Sequence, residues 1–149
     1  MQKLLDKAIA LAKIAHEGQV DKGGHSYINH PLRVMNAVET VEEKIVAVLH
    51  DAVEDSDLTI DDLKREGFSE EIVCAIAAIT KLEGEKRKDY LKRVELNKIA
   101  LKVKIADMND NADISRIYNP GDRDRERTRI YKKNILKLEK KLNSIYGSN

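Results

Sequence analysis

Apolar residues recur along this chain at the three-to-four-residue interval of helices, and no stretch shows the two-residue alternation of a strand. Leu4, Ala8, Leu11, Ala12 and Ala15 predict a first helix from Lys3 to His16, stopped by Gly18. A polar turn over 21–26 follows, and Pro31 suits the first turn of a second helix, with Asn29 or His30 near its cap and Leu32, Val34, Met35 and Val38 as its apolar positions. From Glu42 to Asp55 the run Ile45-Val46-Ala47-Val48-Leu49 marks a helix buried on several faces. Thr59 and Asp62 are spaced as a capping box for a short helix closed by Gly67. Ser69 caps the next, with Ile72, Val73, Ile76, Ala77 and Ile79 as its stripe, on which Cys74 is expected as an inert core residue. Gly84 precedes one or two helices from Tyr90 to Asp113. Beyond the loop at 119–122, Ile130, Ile135, Leu138, Leu142 and Ile145 predict an amphipathic helix from Arg123 to Tyr146. The pattern predicts one all-α domain over 1–149, a bundle of about eight helices.

Composition narrows the class. The 149 residues are 36% charged and only 4% aromatic, with no Trp and two Pro, which excludes collagen-like, low-complexity and strand-rich architectures. A single Cys excludes a disulfide framework or a thiolate metal cluster. No apolar run has the length of a membrane span and the amino end does not read as a signal peptide, so a cytoplasmic protein without membrane partners is expected.

The net charge of +1 conceals an asymmetry. Residues 1–75 carry 8 Lys and Arg against 15 Asp and Glu, and residues 76–149 carry 19 against 11. One half suits a cation and the other an anion, or the two merely neutralise each other at the surface. Nucleic acid is not an expected partner, because the basic residues are interleaved with acids and lack a pattern of stacking aromatics.

Chemistry concentrates at His50-Asp51-Ala52-Val53-Glu54-Asp55, where the most apolar helix ends in four ionisable groups. Burying unpaired charge is costly, so three carboxylates and an imidazole together call for a cation, unless the segment is simply a solvated helix end. Helical spacing places Glu54 one turn from His50 and Asp55 one turn from Asp51. Further metal ligands have to come from elsewhere. His30, beside Pro31, reads as a cap or a ligand, and Asp107 follows the apolar segment Val103-Lys104-Ile105-Ala106, with Asn111 one turn later. His16 and His25 have no comparable setting and are expected at the surface or in loops.

Taken in order, Tyr27-Ile28-Asn29-His30-Pro31-Leu32-Arg33-Val34, His50-Asp51-Ala52-Val53-Glu54-Asp55 and Lys104-Ile105-Ala106-Asp107 with Asn111 resemble the hydrolase domain of the RelA/SpoT homologues, within the HD-domain metal-dependent phosphohydrolases. The resemblance spans nearly the whole chain and is similar in extent to the small alarmone hydrolases, with no room for a synthetase domain. It implies an HD-domain helical bundle in which His30, His50, Asp51 and Asp107 bind Mn²⁺. Two imidazoles and two carboxylates suit such an ion, or another octahedral divalent metal, better than a structural Zn²⁺. It further implies that Glu54 and Asp55 activate and position water, and that the 3′-pyrophosphate of (p)ppGpp is removed to leave GDP or GTP.

For the substrate, the family's Arg-Lys pair aligns with Asp21 and Lys22, so Lys22 keeps a cation while Asp21 replaces one. The family's Asp-Arg-x-His-Asn becomes Asp107-Met108-Asn109-Asp110-Asn111, which keeps Asn111 in the pocket and loses the basic groups between. Arg123, Arg127 and Tyr131 share a helix face, and the small family members carry a similar Arg-x-x-x-Tyr pair in the pocket wall, so Arg127 and Tyr131 are expected to contact nucleotide, unless the face is a solvated one paired with Asp122, Asp124 and Glu126. Tyr27 and Arg33 read as structural neighbours of His30. Two other readings accompany this one: an HD phosphohydrolase for another phosphorylated nucleotide such as NADPH, and a non-catalytic nucleotide-sensing module.

Overall fold

A computed structural model describes residues 1–147. Among them are nine helical segments and no strand: α1 (Gln2–Ala15), α2 (Asn29–Asn36), α3 (Val41–Leu49), α4 (Ala52–Asp55), α5 (Ile60–Arg65), α6 (Glu70–Ile79), α7 (Arg87–Glu95), α8 (Lys98–Asn111) and α9 (Asp122–Tyr146). Eight of these have six residues or more and α4 is a single turn. The all-helical expectation holds.

The start signals act as their chemistry dictates. Thr40, Ser69 and Asn97 each accept a backbone N–H with the side-chain oxygen, and Thr59 with Asp62 forms the full capping box. Asn97 also settles the stretch from Tyr90 to Asp113. Its Oδ1 accepts from Ala100 N at 3.0 Å, ending one helix and beginning the next.

The core is built on α3, whose Ile45, Val46, Ala47, Val48 and Leu49 are fully buried. Around it pack α1, α2, α6 and α8. With five consecutive aliphatic positions out of water, each worth about 1.5–3 kcal/mol for its larger members, α3 is the fixed post on which the polar residues at its end are mounted. The long α9 lies along α8 and also meets α7.

Four sequence expectations are corrected. The helix read as continuous from Glu42 to Asp55 breaks after Leu49, because His50 Nδ1 bonds the Ala47 carbonyl at 2.5 Å and caps α3. Glu54 and Asp55 then rise on the separate turn α4, where the Asp55 N–H bonds the Asp51 carbonyl at 3.0 Å and keeps those two one turn apart, while His50 and Glu54 fall in different helices. On α9 the inward stripe runs through Thr128, Tyr131, Ile135, Leu138, Leu142 and Tyr146, which leaves Ile130 and Ile145 exposed. Cys74 also faces solvent, its Sγ donating to Glu70 Oε1 at 3.4 Å, because the stripe of α6 passes through Ile72, Val73, Ile76 and Ile79. His16, expected at the surface, is buried beneath Tyr27, with ring centroids 5.0 Å apart.

Candidate metal centre and nucleotide pocket

Three elements bring four candidate ligands together. His30 lies in the first turn of α2, where Pro31 follows without forfeiting a needed N–H. His50 and Asp51 occupy the break between α3 and α4, so two neighbouring residues aim at one point, which a continuous helix would not allow. Asp107 comes from the last third of α8. One ligand atom of each lies within 4.8 Å of all the others. Asp107 Oδ1 is 2.8 Å from His30 Nε2 and 3.2 Å from His50 Nε2, and Asp51 Oδ2 is 3.0 Å from His50 Nε2.

Each candidate ligand is held from behind. His50 Nδ1 donates to the Ala47 carbonyl, and His30 Nδ1 donates to Asp110 Oδ2 at 2.6 Å. Both Nε2 atoms therefore point to the common centre, the arrangement in which a ring nitrogen bonded at the rear presents the other to a metal. The Tyr27 hydroxyl donates to Asp51 Oδ2 at 2.6 Å. The Lys104 ammonium, one turn before Asp107 and over the Tyr90 ring, donates to Asp107 Oδ2 at 3.0 Å.

The electrostatics follow from this crowding. Burial pushes the Asp107 carboxyl up, but His50, Lys104 and His30 outweigh it and hold the group well below the carboxylate range. For Asp51, which is half-buried, desolvation also pushes the carboxyl up, but His50 and Tyr27 draw it down to about 2. For His30 and His50 burial disfavours the charged ring, yet the surrounding carboxylates raise both imidazoles. Two carboxylates and two imidazoles, largely shielded and with each carboxylate stabilised by a neighbouring imidazole, form a donor set that could hold a divalent cation. Glu54 and Asp55 are raised, first by burial and then by the charge of Asp51. Glu54 Oε1 also accepts the Lys81 backbone N–H.

A cavity of about 330 Å³ opens beside His30. Its wall includes Lys22, Asn111, Arg127 and Tyr131, so all four residues expected to meet nucleotide face the same space. Arg123 does not line it; that residue borders a neighbouring groove with Arg87. Arg116 is a cavity cation that the sequence did not single out, and Arg33, read only as a structural neighbour of His30, lines the cavity too. Asp21 is less disruptive than its charge suggests. Its Oδ1 accepts the N–H groups of Gly23 and His25, both at 2.9 Å, and so is spent folding the loop that carries Lys22.

Several site residues escaped the sequence reading. Lys104 sits three positions from Asp107, a helical spacing that signals side-chain contact, and Arg33, read as a neighbour of His30, bonds Asp110 instead. Tyr27 was placed beside His30, but its bond to Asp51 spans 24 positions. Asp110 is 80 positions from His30 in no local pattern at all.

Comparison with known proteins gives this geometry its context. A solved structure described as a metazoan ortholog of SpoT that hydrolyzes ppGpp and plays a role in starvation responses superposes with a TM-score of 0.74 at 19% identity, covering 96% of this chain and 93% of that one. The chain has the fold of a SpoT-type hydrolase. In sequence it is 28% identical over 130 residues to a probable GTP pyrophosphokinase of Mycobacterium leprae, covering 78% of this chain and 16% of that protein. It is 32% identical over 91 residues to the bifunctional (p)ppGpp synthase/hydrolase SpoT of Escherichia coli, covering 58% and 13% respectively. A guanosine-3′,5′-bis(diphosphate) 3′-pyrophosphohydrolase of Haemophilus influenzae is 36% identical over 85 residues, 53% of this chain and 13% of that one. The chain thus spans about a sixth or less of these SpoT-like relatives. No family model matches it. The likeness to RelA/SpoT-type HD hydrolases read from the motifs is supported by sequence relatives and by fold. Among the described residues no helix is long and apolar enough to cross a membrane.

Proposed function

We propose that this chain is a metal-dependent hydrolase that removes the 3′-pyrophosphate of (p)ppGpp, releasing pyrophosphate with GDP or GTP, and that its working metal is Mn²⁺. The observation that carries this reading is the contiguity of the four-ligand cluster with a cavity lined by Lys22, Arg33, Arg116, Arg127, Asn111 and Tyr131. His30, His50, Asp51 and Asp107 would hold the cation. A divalent ion held there would supply Lewis acidity toward a phosphoryl oxygen and toward water.

The remaining chemistry belongs to the chain. Guanidinium groups and Lys22 grip phosphate, with Tyr131 offering a flat surface and a hydroxyl to the nucleoside. Water adds to the phosphorus borne by the ribose 3′ oxygen, the bond between them breaks, and that oxygen leaves with a proton. Glu54 and Asp55 orient the water and take its proton. Burial and the Asp51 charge raise both carboxyls toward the pH at which a general base works best. The partner is a small nucleotide.

One observation favours a second substrate. Arg33, Arg116 and Arg127 each already bond a carboxylate, of Asp110, of Asp110 and Asp113, and of Asp124, so the cavity's positive charge is largely compensated. Such a pocket also suits a nucleotide with fewer phosphates, such as the 2′-phosphate of NADPH. Incubating the Mn²⁺-loaded protein with ppGpp, pppGpp and NADPH separates the readings. Pyrophosphate from the first two supports the main proposal; orthophosphate from NADPH alone supports the second; binding of all three without product indicates a sensing module.

A further inference from the structure

Asp110 stands where the metal centre and the nucleotide cavity meet. Its side chain is only 12% exposed and belongs to neither the ligand set nor any helix cap. Three positively polarised groups converge on it. His30 Nδ1 reaches Oδ2 at 2.6 Å, and Arg33 grips both oxygens with Nε at 2.8 Å and Nη2 at 3.1 Å. Arg116 Nη2 adds a bond to Oδ1 at 3.2 Å and another to the Asp110 backbone carbonyl at 2.9 Å, while its Nη1 is tied to Asp113 at 3.0 Å. Planar guanidinium and planar carboxylate engage as a fork, a geometry that fixes direction as well as distance. The carboxylate cannot turn without breaking bonds to two arginines, and the His30 ring cannot turn without leaving Asp110.

We propose that Asp110 is a positioning residue for the metal ligand His30, and that the cavity arginines Arg33 and Arg116 hold it in that task, so that metal affinity depends on side chains that never reach the metal. This rests on the reading of His30, His50, Asp51 and Asp107 as a cation site. Carboxylate–histidine–metal arrangements orient the ring, fix its tautomer and raise its basicity. Here the carboxylate is itself clamped by the groups that face substrate phosphate. Metal site and phosphate pocket are therefore one bonded network, in which Tyr27 bonds Asp51, Asn111 bonds Asp107, and Asp110 ties both arginines to His30.

The test uses Mn²⁺ alone, titrated into metal-free protein and followed by the electron paramagnetic resonance of the free ion, with no substrate present. Asp110→Asn weakens Mn²⁺ binding by about 10–100-fold. Arg33→Gln and Arg116→Gln each weaken it by about threefold or more, and either one added to Asp110→Asn changes it by less than about twofold, since the route to His30 is already cut. Arginine variants that bind Mn²⁺ like the wild type, or whose effects simply add to that of Asp110→Asn, overturn the proposal. The His30 Nδ1–H resonance of the metal-free wild type, Arg33→Gln and Arg116→Gln proteins gives an independent measurement if Asp110→Asn fails to fold. The proposal expects the signal to shift in both arginine variants, and an unchanged signal contradicts it. Failure of the wild type itself to bind Mn²⁺ overturns the cation-site reading instead, leaving the resonance to decide on the Asp110 contact.

Discussion

Glu54 and Asp51 stand three positions apart and are proposed to carry different duties, which substitution separates. Asp51 belongs to the candidate ligand cluster and lies half-buried against His50, whereas Glu54 stands on the next turn and reaches toward the Lys81 amide. Asp51→Ala is expected to abolish Mn²⁺ binding and turnover together. Glu54→Gln keeps size and hydrogen bonding but cannot accept a proton, so it should retain Mn²⁺ and lose about 10²- to 10⁴-fold in turnover. A calorimetric titration beside a rate measurement checks both; a fully active Glu54→Gln removes its role as base. At this scale the sequence was most legible where chemistry announces itself in adjacent letters, as in His50-Asp51. It was least legible where one polar group supports another across the fold. Asp110 looked like the loss of a basic residue, and only the folded chain shows it bonded to His30, Arg33 and Arg116. His16 carried no signal of burial, because the Tyr27 ring that covers it lies beyond the intervening turn.

Helices here were read well from their beginnings and less well from their faces. Caps are local chemistry, so Thr59, Ser69 and their partners could be named from spacing, while the exposure of Ile130 and the kink at His50 depend on what packs alongside. Asn97 offers a clean test at the junction of α7 and α8. Replacing it with Ala removes the cap of the helix that carries Asp107 and should lower stability by about 1 kcal/mol, with Mn²⁺ affinity little changed because Asp107 lies nearly three turns away. Ile45→Ala, in the fully buried face of α3, should cost about 2–5 kcal/mol by removing core volume. Urea unfolding of both variants reads the difference, and comparable losses would mean that α3 is not the post on which the site is mounted.

Across the whole molecule, the acidic first half contributes His30, His50, Asp51, Glu54 and Asp55, and the basic second half contributes Asp107, Arg116 and Arg127. The asymmetry in charge is thus shared across the site rather than split into a metal half and a phosphate half. It also fixes a pH dependence. In the metal-free protein the carboxylates raise His30 and His50 above the ordinary imidazole value of about 6.5. Their contribution to stability is fully present below that value and is lost as pH rises through the folded-state pKa values. A cation takes the place of the Nε2 protons, so its binding should release protons and tighten with rising pH over the same range. Calorimetry in buffers of different ionisation enthalpy counts those protons, and binding without release contradicts the ligand assignment.

The central claim is that a divalent cation at His30, His50, Asp51 and Asp107 serves hydrolysis of a nucleotide's 3′-pyrophosphate. The most direct measurement is the product formed from ppGpp by the purified protein with Mn²⁺, resolved by phosphorus NMR. Pyrophosphate and GDP in equal amounts, absent without metal and absent in Asp51→Ala, are the predicted result; orthophosphate, or unaltered ppGpp with metal bound, contradicts it.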